Sequence, residues 1–232
     1  MIFGILGILL LIILYFVFVN KLRIDFKSFF KKGFKRNSDN FGLFCYTGKQ
    51  GKGKTFSAIQ FLEKYKKDHL IITNVSSYAT SLHLRGKKVL YVKTLDYCVD
   101  VAIKLISEGK KIIIFFDEIF TVLEKRKDLP KYILSFLSQL RKRKIILITT
   151  AQEWSEIQIT FRRYCRLQIS CNMFEVPFVP FSFYINTVND GDQIKWDDIE
   201  QEFIAPTIFT TFGKCNKKVV DLYNTYETIA IS

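Results

Sequence analysis

Short runs of β-branched and aromatic residues alternate along the chain with segments whose apolar positions recur at helical spacing. The runs are GLFCYT (42–47), HLIITNV (69–75), KVLYVK (88–93), KIIIFFDE (111–118), KIILITT (144–150) and CRLQISC (165–171). Within them IIIFF and IILIT are apolar at nearly every position rather than at every second one. Strands buried on both faces read this way, as in a parallel sheet covered by helices on either side. Between the runs, Thr55–Lys67 and Lys131–Arg143 carry helical spacing, and Ile133, Phe136, Leu137 and Leu140 of the second share one face. The alternation predicts an α/β domain built on a mostly parallel sheet with flanking helices. From Asn172 the texture changes. Residues 172–232 hold three of the four prolines and many aromatics with little helical period, which predicts a small β-rich extension.

One apolar run is longer than any strand. Residues 2–19, IFGILGILLLIILYFVFV, carry no charged side chain. At about 1.5 Å rise per residue, a helix of that length just crosses a hydrocarbon core of about 30 Å. No Lys or Arg precedes the run and large aromatics close it. A cleaved signal peptide has a basic start and a small-residue cleavage site, so an uncleaved transmembrane helix is expected instead. Lys21, Arg23, Lys27, Lys31, Lys32, Lys35 and Arg36 follow, against the single acid Asp25. That bias places the N-terminus outside and everything after Asn20 in the cytoplasm. The chain thus divides into an anchor (1–20), a basic juxtamembrane linker (21–40), the α/β domain (41–171) and the β-rich extension (172–232).

Composition narrows the classes further. Hydrophobic residues make up 49% and charged residues 25%, enough apolar surface for a core and too little polarity for wholesale disorder. The formal net charge of +13 points to an anionic partner, whether nucleic acid, nucleotide or anionic lipid, with a merely solubilising surface as the alternative. Five cysteines without a CxxC pair, and two isolated histidines, argue against a disulfide framework or a zinc site.

The chemistry begins at the end of the first core run. Gly48-Lys49-Gln50-Gly51-Lys52-Gly53-Lys54-Thr55 fits G-x-x-x-x-G-K-[ST] at every fixed position. Glycines let the backbone curl and aim successive N–H groups at phosphate oxygens, and the following helix, entered through Phe56, turns its positive end to the same anion. In such a loop Lys54 reaches the β- and γ-phosphates of ATP, and the Thr55 hydroxyl is a ligand for Mg²⁺. A Gly/Lys-rich surface turn is the bland alternative, and the flanking strand and helix weigh against it.

Two further strands end in polar groups. KIIIFFDE places Asp117 beside the expected Mg²⁺, on a strand next to the one that carries the loop, and Glu118 where it can activate water as a general base. In isolation such a pair is an ordinary strand-ending turn; after a full phosphate loop it reads as catalytic. KIILITTAQE ends in Thr149, Thr150 and Gln152, polar residues suited to sensing the γ-phosphate or orienting the attacking water, as Gln does in other phosphoryl-transfer sites, with an ordinary strand-to-loop exit as the alternative. Arginines fall in two clusters, Arg141 and Arg143, then Arg162, Arg163 and Arg166. Arg162 and Arg163 are candidates for an arginine finger acting across a subunit boundary, against a solvated face or a DNA-phosphate contact.

With GKQGKGKT, ITN (Ile72-Thr73-Asn74), FFDE, LITTAQE and the closing KKVVDLYNTYE (217–227), the chain resembles the zonula occludens toxin-like family of filamentous-phage assembly ATPases, in the FtsK/HerA-type P-loop group. The resemblance covers most of 42–171 and, more weakly, 213–227. It implies a P-loop NTPase of the RecA-like (ASCE) type that hydrolyses ATP with Mg²⁺ at the host inner membrane. It further implies a homo-oligomeric ring that moves viral DNA during assembly beside other phage assembly or coat proteins. Many family members carry the membrane span after the ATPase domain; here it comes first, so no toxin activity is carried over. A DNA-packaging or conjugation-type double-stranded DNA translocase is the nearest alternative. A non-hydrolysing nucleotide-binding membrane scaffold is the alternative of another class, disfavoured by the Asp117-Glu118 pair. A small-molecule kinase is disfavoured by the absence of a recognisable lid.

Overall fold

The computed structural model describes residues 7, 11, 14, 15, 22–24, 41–65, 68–119, 129–193, 195–197 and 202–224. The apolar run 2–19 and most of the basic linker lie outside the described residues. Among the described residues, no helix is long and apolar enough to cross a membrane.

A short strand β1 (Leu22–Ile24) precedes the α/β part. That part opens with β2 (Gly42–Thr47), α1 (Lys54–Tyr65), β3 (Leu70–Thr73), α2 (Ser76–Leu84) and β4 (Val89–Tyr91). It continues through α3 (Leu95–Ser107), β5 (Ile112–Phe116), α4 (Lys131–Gln139), β6 (Ile146–Ala151) and α5 (Ile159–Arg162). The remainder is β7 (Cys165–Glu175), β8 (Ser182–Asp190), β9 (Lys195–Asp197), β10 (Glu202–Ile204), β11 (Thr207–Lys214) and α6 (Lys217–Val220).

Nine strands form one sheet in the order β1-β11-β8-β7-β2-β6-β5-β3-β4, and β9 and β10 make a separate antiparallel pair. From β4 across to β7 every pairing is parallel. Beyond β7 the sheet turns antiparallel through β8 and β11, with β1 added parallel to β11. The sheet is mixed, but six of its eight pairings are parallel, as the hydrophobic pattern predicts, and the two antiparallel ones lie in the extension. The cause is the connection: β7 passes into β8 through the short Val176–Phe181 turn, and a short turn can join only antiparallel neighbours. The β-rich extension is a continuation of the main sheet, because β7 runs straight through the boundary drawn between residues 171 and 172. Within the basic linker, Leu22–Ile24 is an edge strand rather than a connector.

Helices cover both faces of the parallel part, which explains its doubly apolar strands. In β5, Ile112, Ile114 and Phe116 point into one buried cluster with residues of α3 and α4. Ile113 and Phe115 point into the other, with Phe56, Ile59 and Leu62 of α1 and Tyr78 and Leu82 of α2. Four helices have no counterpart among those expected from the sequence, the single-turn α5 and α6 and the longer α2 and α3. Helix α3 buries Leu95, Cys98, Val99 and Ala102, a legible helical spacing, behind an N-cap in which the Thr94 hydroxyl accepts from the Tyr97 N–H at 3.3 Å. Helix α2 buries only Tyr78, Ala79 and Leu82 in a serine- and threonine-rich stretch, which gives little pattern to read.

Phe115 is fully buried at the centre of the sheet, with its ring edge-on to Tyr78 at 6.3 Å. Phe115→Ala is expected to cost about 3–5 kcal/mol of stability. Chemical denaturation, read as a lowered midpoint at unchanged slope, checks this.

Candidate nucleotide site

Strand β2 is buried along its whole length between β6 and β7, so the loop that follows it is gripped from both sides. On the β6 side the Gly48 N–H donates to the Gln152 carbonyl at 3.1 Å. On the β7 side a Cβ at Gly48 would stand 2.6 Å from the Cys171 carbonyl oxygen, and one at Gly53 would stand 2.7 Å from Met173 Cε. Both glycines also have positive φ, +148° and +78°. Gly48 is thus required twice over, by backbone conformation and by the close approach of the β7 backbone, while Gly53 is required by its conformation, since the flexible Met173 end can shift.

Lys49, Gln50, Gly51 and Lys52 form the exposed outer turn, closed by the Lys52 N–H donating to the Lys49 carbonyl at 3.2 Å. Lys54 opens α1 and folds its ammonium back onto the same Lys49 carbonyl, at 3.3 Å. The first N–H groups of a helix have no intrahelical partner, so Lys54, Thr55 and Phe56 offer theirs to an anion. The Phe56 side chain does something else: it is fully buried, 5.8 Å from the Tyr184 ring, and anchors α1 to the sheet extension. Beside it the Ser57 hydroxyl donates to Asn186 Oδ1 at 3.1 Å. The extension therefore forms one wall of the loop.

Asp117 does not stand on a strand adjacent to β2, as expected; β6 lies between β2 and β5. That insertion brings a third side chain into the site. The Thr150 hydroxyl, at the end of β6, donates to Asp117 Oδ1 and accepts from the Glu118 N–H at 2.8 Å. From α1 the Thr55 hydroxyl reaches Asp117 Oδ2 at 3.1 Å. Thr55 and Asp117 are hard oxygen donors drawn to one point, a set that suits Mg²⁺. Thr149 faces the other way, with its hydroxyl buried and without a hydrogen-bond partner among the described residues. Alternation along a strand makes only one of the two threonines available to the site.

Asn74, part of ITN but given no role from the sequence, belongs to the site. Its side chain accepts from the Asp117 N–H at 2.7 Å and donates to the Asp117 carbonyl at 3.0 Å, pinning that backbone unit from β3's end. The signal for it is the polar Thr73-Asn74 pair after the apolar LII. The next residue, Glu118, is half-buried and adopts the left-handed conformation, φ +52°. A non-glycine residue held there stores strain of the kind that gathers at working sites.

Asp117 is 7% exposed. Burial pushes its pKa up to about 6, helped by the Glu118 charge and opposed by the Thr150 and Thr55 hydroxyls and the Lys54 ammonium.

Gln152 is half-buried one residue past β6 and touches the loop through its backbone carbonyl. The arginines are elsewhere. Arg162 packs with its Cζ 6.0 Å from the centre of the Trp154 ring, and Arg163 is exposed. Helix α5 leads into Cys165, which pairs with Leu43 at the far end of β2 from the loop, so neither arginine is brought to this chain's own phosphate loop. Arg141 pairs with Asp192, Arg143 donates to Gln139 at 2.7 Å, and Arg166 donates to the Phe41 carbonyl at 3.2 Å.

Residues 44–174 match the family described as ATPase family associated with various cellular activities (AAA). No curated protein matches the chain. Among solved structures it is similar to the N-terminal domain of zonular occludens toxin from Neisseria meningitidis, at 15% identity and a TM-score of 0.47, over 79% of this chain and 98% of that one. It is also similar to the genome packaging NTPase B204 from Sulfolobus turreted icosahedral virus 2 in complex with ATP-gammaS. That likeness has 15% identity and a TM-score of 0.44, over 75% of this chain and 100% of that one. At such identities and TM-scores nothing about activity follows from these likenesses.

The raised pKa of Asp117 has a consequence for the nucleotide-free protein. Its contribution to stability is present below the unfolded value near 3.8 and is lost as pH rises through about 6. Asp117→Asn should therefore melt higher than the wild type near pH 7.5, by about 3 kcal/mol of stability, and the gain should vanish toward pH 4. Thermal melts across that range check it.

Proposed function

The chain belongs to the ATPase family associated with various cellular activities (AAA) and is a P-loop NTP hydrolase, and on that basis we propose that it is a membrane-anchored motor that hydrolyses ATP to move viral DNA during assembly. The observation that carries the reading is the hydrogen-bonded set Thr55–Asp117–Thr150–Glu118 beside the glycine loop. It provides, at one place, a phosphate cradle, a pair of metal-binding oxygens and an acid held off the metal-binding carboxylate by one residue.

The roles follow from position. Backbone N–H groups of 48–56 bind the phosphates, and Lys54 swings from the Lys49 carbonyl to neutralise the β- and γ-phosphate oxygens. Thr55 and Asp117 hold Mg²⁺, which when bound supplies further neutralisation of phosphate charge. Glu118 takes the proton from the attacking water, as the Thr150 hydroxyl fixes its backbone. Gln152, whose carbonyl holds the Gly48 N–H at the start of the loop, is the candidate to sense the γ-phosphate or orient the attacking water. Arg162 and Arg163, remote from this chain's loop, serve the charge building on phosphate only from a neighbouring protomer. That requirement supports a homo-oligomeric ring.

The net charge of +13 supports DNA as the polymer that the ring moves. The run 2–19 and its basic flank support a single-pass anchor in the host inner membrane, N-terminus outside and ATPase domain in the cytoplasm. The family resemblance of FFDE and LITTAQE supports filament assembly beside phage coat or assembly proteins, with double-stranded packaging as the variant on the same motor.

The purified full chain is expected to hydrolyse ATP in a Mg²⁺-dependent, DNA-stimulated manner. Lys54→Ala should lose nucleotide binding. Glu118→Gln should keep binding yet turn over at least about 100-fold more slowly. No turnover by the wild type with DNA, at oligomer-forming concentration, contradicts the motor, and binding without turnover marks a scaffold. Equal binding loss in both variants contradicts the assigned roles.

A further inference from the structure

The parallel strands that carry the nucleotide site end on one edge of the sheet, so their starts share the opposite edge. Hydrogen bonds set those starts side by side. At the start of β3 the Leu70 N–H donates to the Lys111 carbonyl at 2.9 Å and the Ile71 N–H to the Lys88 carbonyl at 3.1 Å. The Gly42 N–H that opens β2 donates to the Ile145 carbonyl at 2.9 Å. Onto this edge the chain puts Lys87-Lys88 before β4, Lys110-Lys111 before β5 and the turn RKRK (141–144) before β6. Arg141 is engaged by Asp192 and Arg143 by Gln139. The six lysines are all exposed, and none is in a salt bridge among the described residues. Asp68 and Glu108 are the exposed acids beside them in the chain, which leaves a surplus of positive charge. From β6 to β4 these starts cover three strand intervals, about 14 Å.

The N-terminal run reaches the same edge. β1 pairs with β11 so that Leu22 stands opposite Thr210, three residues from the start of β11 at Thr207. Through the antiparallel pairs of β11 with β8 and β8 with β7, β1 runs in the same sense as β2. Its start therefore points toward the edge where β2 starts. Only Asn20 and Lys21 separate Leu22 from the uncharged run 2–19, and three peptide links reach at most about 11 Å. Leu11 and Leu14 of that run are helical and exposed, apolar surface that a bilayer covers and water does not.

We propose that this lysine edge is the face that the ATPase domain lays on an anionic bilayer. Lipid phosphates meet Lys87, Lys88, Lys110, Lys111, Lys142 and Lys144. The anchor keeps the edge where the negative surface potential acts, since that potential falls off over a Debye length of about 10 Å. β2 is six residues long, so the nucleotide loop opens about 20 Å away, on the side facing the cytoplasm. Lysines attract DNA phosphates equally well, but DNA would have to reach them past the bilayer to which two residues tether the edge. The proposal rests on the membrane-anchored reading and adds to it the face that the domain turns to the lipid.

The full chain is reconstituted, domain outward, in vesicles of phosphatidylcholine or of an equal mixture with phosphatidylglycerol. A membrane-impermeant reagent then acetylates its lysines, and mass spectrometry reads the rate at each. In the mixed vesicles the six edge lysines should react at least about fivefold more slowly than in phosphatidylcholine, with Lys49 and Lys52 of the loop within about twofold. In a chain carrying Lys110→Gln, Lys111→Gln, Lys142→Gln and Lys144→Gln, the protection of Lys87 and Lys88 should fall below about twofold. Equal edge rates in both lipids overturn the proposal and leave the anchor standing. Protection that follows added DNA in phosphatidylcholine vesicles, and not the anionic lipid, also overturns it and marks a nucleic-acid face. If the full chain floats with neither vesicle, the anchored reading fails first and this face with it.

Discussion

A carboxylate taken out of water at the end of an apolar strand is tolerated only where fixed dipoles replace its hydration. The Asp117 carboxylate meets that demand from two elements, Thr55 in the first turn of α1 and Thr150 at the end of β6, while Asn74 at the end of β3 holds the backbone N–H and carbonyl of the same residue. Each donor is useful only if its element arrives at the same end of the sheet in the right order. The positions of β2, β3, β5 and β6 are therefore tied together at one acidic residue, and the residual discomfort of its carboxylate is visible in a pKa pushed up to about 6. A divalent cation bound there would relieve that discomfort by supplying the opposite charge that burial withholds.

The parallel pairings supply the geometry. In a parallel sheet all strands end on the same edge, so their C-terminal residues converge on one crevice. β2 contributes the loop, β5 the acids, and β6 both the Thr150 bridge and the Gln152 carbonyl that holds Gly48. The antiparallel continuation is not an appendage to this arrangement. β7 presses its backbone against Gly48 and places Met173 against Gly53, while β8 packs Tyr184 on Phe56. Removing the extension would leave the loop open on one side.

How far the sequence led depended on how local each constraint is. β2 is found at 42–47 as its apolar run indicates, because a strand buried on both faces has no polar position to blur its limits. The phosphate loop was legible because Gly48, Gly51 and Gly53 all need positive φ, a demand written residue by residue. Strand order was not legible: IIIFF and IILIT are equally apolar, and nothing local says that β6 lies between β2 and β5. Thr149 and Thr150 look alike in sequence, and only the face covered by α1 decides which one meets Asp117. Asn74 was harder still, since its partner Asp117 is 43 residues away. The antiparallel turn after β7 was signalled by the missing helical period after Asn172, but its union with the main sheet was not.

The most direct measurement is single-turnover ATP hydrolysis by Thr150→Val, which keeps the shape of the side chain and deletes the hydroxyl that joins Asp117 to Glu118. With Mg²⁺ saturating and the chain folded, hydrolysis is expected to fall at least about tenfold while metal-free nucleotide binding holds. Hydrolysis at the wild-type rate would contradict the account.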